Sequence, residues 1–150
     1  MTTVLEQPAD LLDLVGQSLG TTEWIKVTQQ QVDLFADATG DRQWIHTDAE
    51  RAAKGPFKGT IAHGYLTLSL TPAVIAQVLV IREITAALNY GLNRVRFPAP
   101  VRVGSQVRAA VTVASAHQKT SGVESVFTLT FEIDGEDRPA CVADVIVLYP

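Results

Sequence analysis

The sequence predicts an α+β fold in which an antiparallel sheet wraps one long central helix. Three observations carry that prediction. The second half of the chain alternates apolar and polar residues in successive runs, an apolar stretch from Leu66 to Ile81 is too long for a strand, and amphipathic helical patterns lie only before it. A chain of 150 residues is one domain's worth and hides roughly 70% of its unfolded surface. Residues 1–150 are therefore expected to share one core, with residues 1–20 a weakly structured lead-in.

Composition narrows the class. A hydrophobic fraction of 47% and a charged fraction of 19% suit a compact protein rather than a disordered one. The net charge of −4, with no cluster of basic and aromatic residues, argues against a nucleic-acid partner. The one cysteine, Cys141, excludes a disulfide framework and reads as a small buried hydrophobe. The first residues lack a basic segment followed by an apolar one, and the Leu66–Ile81 stretch falls short of a membrane span and is broken by Pro72. A cytoplasmic protein without a membrane span is expected.

In chain order, Leu11, Leu12, Leu14 and Val15 are expected to form one helical turn, and Glu23 to Thr28 a short strand. Thr28 with Gln31 forms a capping-box pattern that opens a helix, whose inner face carries Val32, Phe35, Ala36 and Thr39, and Gly40 ends it. Thr47 with Glu50 repeats the capping pattern for a short helix ending near Gly55. Between the two lies a short loop that carries Asp41 and His46. From Gly64 to Arg82 the apolar residues are spread evenly enough for a helix buried nearly all round. Pro72 should kink it or start a second segment capped by Thr71.

Beyond Glu83 the period changes to two. Leu88, Tyr90 and Leu92 share one parity while Val95 and Phe97 share the other, which predicts a bulge between Gly91 and Arg94. Further strands follow at Val107 to Val113, closed by a turn from His117 to Gly122, at Phe127 to Ile133, and at Cys141 to Tyr149, with Asp134-Gly135 as a hairpin turn. The four are expected to join mostly as a meander.

The candidate chemistry gathers at Asp41, His46 and His63-Gly64. Alone, Asp41 after a helix-ending glycine reads as a solvated turn residue, and His46 as a loop histidine bonded to backbone. Pinned between two helices, the pair can position one water, with the imidazole intrinsically poised near neutral pH. His63 reads chiefly as a residue orienting the Gly64 turn. Ser69 either bonds the dyad or satisfies its own helix backbone. Gln43 is placed to orient His46, and Trp44 either shapes a pocket entrance or packs in the core. Arg94, Arg96, Arg102 and Arg108 form a basic cluster that reads first as a solvated sheet face and second as a site for phosphates. No Cys/His spacing suggests a metal, and no glycine-rich loop suggests a nucleotide cradle.

Gly40-Asp41 and Ile45-His46, followed by Phe57, Ile61 and His63-Gly64, resemble the MaoC-like hydratases, the (R)-specific enoyl-CoA hydratase group of the hot-dog fold. The resemblance runs from about Trp24 through the final strand, and Arg96-Phe97-Pro98-Ala99-Pro100-Val101 looks like that family's strand ending. Gln43-Trp44 replaces the Asn-Pro of many members and is similar to the nodulation protein N-like branch, and Ser105 stands where an acidic residue often follows the glycine. The resemblance implies a single hot-dog domain and reversible syn addition of water to trans-2-enoyl thioesters, giving (R)-3-hydroxyacyl products. On that reading Asp41 and His46 activate water and the Gly64 amide holds the developing oxyanion. It also implies a homodimer, a coenzyme A or acyl-carrier thioester as ligand, and no cofactor, coenzyme A being part of the substrate. A hot-dog acyl-CoA thioesterase and a non-catalytic acyl-binding or partner subunit are the alternatives.

Overall fold

The computed structural model describes residues 1–150. Its centre is a meander of three long antiparallel strands, β6 (Gln106–Lys119), β7 (Gly122–Ile133) and β8 (Cys141–Tyr149). Strict alternation puts Val107, Ala109, Val111 and Val113, then Phe127, Leu129 and Phe131, then Cys141, Ala143 and Val145 on one buried face. Against that face pack Leu66, Val74 and Val78 of the central helical segment. Burial raises the Cys141 thiol to about 11, so at neutral pH it is the inert hydrophobe that its apolar surroundings imply.

β5 (Leu88–Arg96) departs from the expected meander. It precedes β6 in sequence but pairs with β8, at the far edge of the sheet. The connection explains this. Pro98 and Pro100 cannot donate to a ladder, and residues 97–105 instead cross to the other edge, where the Ala62 N–H donates to the Val101 carbonyl and the Val103 N–H to that of Thr60. β5 itself is bulged twice, between Leu92 and Arg94 as the parity switch predicts and again between Asn89 and Gly91. The β6–β7 hairpin runs further than expected, to a tip after Lys119, so exposed His117 lies within a strand. Gly135 takes a left-handed φ of 80°, yet β8 resumes only at Cys141. Asp134-Gly135 is therefore the start of a longer loop rather than a tight hairpin.

The first twenty residues are structured, contrary to expectation. β1 (Thr3–Leu5) pairs parallel with β4 (Leu79–Ile81), a 3₁₀ helix at Pro8–Leu14 extends the expected turn and buries Leu11 completely, and β2 (Ser18–Thr21) joins β6. β1 and β2 are too short to show a period, and only a tertiary partner holds each. The strand expected at Glu23 to Thr28 is present as β3 (Ile25–Lys26), also paired with β6.

The central helical segment is two helices, α4 (Gly64–Ser69) and α5 (Thr71–Val78), meeting at Leu70. Pro72 has no N–H for the Leu68 carbonyl, and the Leu70 N–H donates to the Thr67 carbonyl, closing α4 with a tighter turn. Leu70 rather than Thr71 occupies the cap position. Burial is one-sided: Leu66, Thr67, Val74 and Val78 are buried, whereas Tyr65, Pro72, Ala73 and Ala76 face outward. No helix is long and apolar enough to cross a membrane.

Candidate active site

α1 (Gln29–Thr39) starts at Thr28, whose hydroxyl accepts from the Gln31 N–H, and ends at Gly40, whose φ is 83° and whose N–H donates to the Ala36 carbonyl. That left-handed residue turns the chain so that Asp41 points back toward the fold. A side chain at Gly40 would meet nothing within 4 Å, so Gly40→Ala carries only the backbone penalty. It is expected to lower unfolding stability by about 1 kcal/mol, read as a fall in the denaturation midpoint.

His46 lies in a single helical turn, α2 (Trp44–Thr47), rather than in a loop. The Thr47 hydroxyl is tied back to the carbonyls of Arg42 and Gln43. It is thus unavailable as a cap, and Asp48 caps α3 (Ala49–Ala53) by accepting from the Arg51 N–H. The His46 ring is only 5% exposed. Its Nδ1–H donates to the Ile61 carbonyl at 2.7 Å, which places the proton on Nδ1 and leaves Nε2 with a free lone pair. Nε2 faces the Asp41 carboxylate, 3.9 Å from Oδ2. That gap is too long for a direct hydrogen bond and suits one bridging water.

Main-chain groups and a few buried or half-buried side chains support this pair. The Ile61 N–H donates to the Ile45 carbonyl and Ile61 forms an isolated bridge with Arg102, so residues 60–62 tie α2 to residues 101–103. The Gln29 side chain donates to the His46 carbonyl at 2.8 Å and accepts from the Thr60 hydroxyl at 2.6 Å. His63 Nε2–H donates to the Asp41 carbonyl at 2.9 Å, and its ring stacks on His46 with centroids 3.8 Å apart and on Phe35 at 4.9 Å. The other nitrogen of His63, Nδ1, is buried without a partner.

Gly64 opens α4, and its N–H makes no hydrogen bond within the chain. A Cβ there would sit 3.1–3.3 Å from the Phe97 ring. Gly64, His46, Thr67 and Phe97 line one cavity of about 330 Å³. A separate groove of about 400 Å³ runs between α4–α5 and β5, lined by Tyr65, Leu68, Thr71 and Leu92 among others.

Of the expected site residues, the structure brings together Asp41, His46, His63 and Gly64. Ser69 stays apart, its hydroxyl donating to its own helix at the Tyr65 carbonyl. The Gln43 side chain does not orient His46, that work falling to the Ile61 carbonyl. Trp44 is half-buried against Gly55 with the Arg51 guanidinium over its ring. Nothing in the sequence distinguishes Gln29, the first of three consecutive glutamines, or Thr60, which follows Lys58-Gly59. Asp41, His46 and His63 each offer a donor atom within 4.8 Å of the others. The spacing suits a cation, but two nearly parallel imidazoles direct their lone pairs along parallel lines rather than to one point.

The model of the MaoC like domain matches residues 10–133. The chain is 50% identical to 3-hydroxyacyl-thioester dehydratase Z of Mycobacterium tuberculosis over 96% of both chains. It is 48% identical to nodulation protein N of Rhizobium leguminosarum, covering 93% of this chain and 89% of that one, as the Gln43-Trp44 signature led one to expect. Among solved structures it is similar to the (R)-hydratase from A. caviae involved in PHA biosynthesis, at 26% identity and a TM-score of 0.75, over 91% of this chain and 96% of that one. With its sheet packed on α4 and α5, the chain belongs to the MaoC-like dehydratase family of the hot-dog fold.

Proposed function

We propose that this protein is an (R)-specific hydratase that interconverts trans-2-enoyl and (R)-3-hydroxyacyl thioesters. The observation that carries the reading is the pairing of a buried imidazole, its Nδ1 committed to Ile61, with a half-buried carboxylate 3.9 Å from its Nε2. A water between them has an acceptor on either side. As its oxygen bonds the β-carbon, the dyad takes one proton from the water and delivers that proton to the α-carbon on the same face, so addition is syn and both groups end as they began. Charge develops on the thioester oxygen during this step. The unpaired Gly64 N–H, opening into the same cavity as His46, is the donor for it.

The names of the relatives support the substrate class, since those at 50% and 39% identity are dehydratases of 3-hydroxyacyl and 3-hydroxybutyryl thioesters. The reading asks for no cofactor beyond the coenzyme A or acyl carrier of the substrate, and it is of a cytoplasmic enzyme. Two copies pair through β5, an edge strand exposing Leu88, Tyr90 and Leu92. Sedimentation should then give a dimer.

The test is hydration of crotonyl-CoA and a longer enoyl-CoA, followed as loss of the conjugated thioester absorbance. Turnover with an (R)-3-hydroxy product supports the reading. Release of free thiol with no hydration would replace it with a thioesterase, and binding without turnover would replace it with a partner subunit.

A further inference from the structure

The sequence groups Arg94, Arg96, Arg102 and Arg108, but the fold separates them. Arg94 and Arg96 pair in register with Asp144 and Val142, on either side of Val95, which packs against the core. Both therefore project from the sheet face that points away from α4 and α5. Arg108 projects from that face too, with Nε donating to Glu132 and the guanidinium over the Trp24 ring. Those three form the solvated face.

Arg102 is placed differently. It lines a groove of about 160 Å³ whose walls Phe57, Ala99 and Pro100 are also walls of the cavity that holds His46 and Gly64. One of its N–H groups donates to the Lys58 carbonyl at 2.9 Å, which aims the guanidinium, and no carboxylate lies within ion-pair distance. Lys58 itself is exposed and holds a left-handed φ of 60°. Glu136 also lines the groove but is not paired with Arg102. The backbone bridge between Arg102 and Ile61, the residue whose carbonyl holds His46, fixes the cation relative to the dyad.

We propose that Arg102 anchors a phosphate of the thioester's carrier, the arm lying along Phe57 and Pro100 with the thioester in the His46–Gly64 cavity. This rests on the hydratase reading of that cavity. A chain of net charge −4 weakly repels an anionic carrier, so an unneutralised guanidinium at the cavity's edge is what local recognition of a phosphate requires. Phosphate is common to coenzyme A and to the phosphopantetheine arm of acyl carriers.

The experiment compares crotonyl-CoA with crotonyl-N-acetylcysteamine, which carries no phosphate, for the wild type, Arg102→Gln and Arg102→Lys. Arg102→Gln should raise KM for the coenzyme A thioester about tenfold and leave kcat nearly unchanged, with no effect on the phosphate-free thioester. Arg102→Lys should recover part of the loss, and the affinity for free coenzyme A by calorimetry should fall in parallel. Crotonyl-3′-dephospho-CoA separates the sources: a KM as high as that of Arg102→Gln assigns the contact to the 3′-phosphate, and a normal one to the phosphate shared with acyl carriers. An unchanged KM for crotonyl-CoA together with unchanged coenzyme A affinity in Arg102→Gln overturns the inference. Failure of the wild type to hydrate even the phosphate-free thioester overturns the hydratase reading instead, and the coenzyme A titration still decides on Arg102.

Discussion

Asp41→Asn and His46→Gln are each expected to lower kcat for enoyl-CoA hydration by about a thousandfold, within the range that general acid–base groups supply. The two substitutions remove different things. Asp41→Asn keeps the shape of the side chain and the weak contact of Oδ1 with the Gln43 N–H, but not a carboxylate able to take up a proton. His46→Gln loses the Nε2 lone pair while retaining a side-chain amide for the Ile61 carbonyl. Because both groups act on one water, the double variant should be little worse than the worse single one, rather than showing the product of the two losses. Circular dichroism and the denaturation midpoint separate chemistry from folding: Asp41 is half-buried and exchanges one polar group for another, so its midpoint should barely move. Two inactive but folded variants support the dyad. Activity indifferent to both substitutions would remove it from the mechanism.

Much of this was legible in the chain, and the reasons differ by element. The long strands announced themselves because one face of β6, β7 and β8 is buried and the other is not, which writes a period of two directly into Val107–Val113 and Phe127–Ile133. The β5 bulge appeared as a parity switch at Leu92. The placement of β5 beside β8 left no such trace, since hydrophobic period encodes which face is buried and not which neighbour supplies the ladder. The N-terminal strands were missed for a related reason: three or four residues carry no period, and parallel pairing of Thr3–Leu5 with Leu79–Ile81 joins segments far apart in the chain. The one-sided burial of α4–α5 was obscured because apolar residues also line its open groove. At the site, residue types identified Asp41, His46 and Gly64, whereas the group that orients His46 is a main-chain carbonyl, which every residue possesses and no sequence can single out.

His63 shows how a residue can matter to the site through its neighbour, and its replacement is the second large effect expected. The Asp41 carbonyl can only accept, so Nε2 of His63 carries the proton that bonds it. This tethers the main chain of Asp41 from a ring 3% exposed, stacked on His46 and leaning on Phe35. His63→Phe should keep the stack and lose the tether. The carboxylate then wanders by a fraction of an ångström relative to Nε2 of His46, and kcat should fall by roughly ten- to a hundredfold while KM changes little. His63→Gln should do the opposite, restoring a donor toward the Asp41 carbonyl at the expense of ring packing, with stability reduced by about 1–2 kcal/mol and most of kcat recovered. The crossed pattern is the discriminating result. A merely structural role would make activity follow stability in both variants, so that the less stable His63→Gln was also the less active. A positioning role makes the more stable His63→Phe the poorer catalyst, because the rate depends on where the Asp41 carboxylate stands and not on how tightly the core around it is packed.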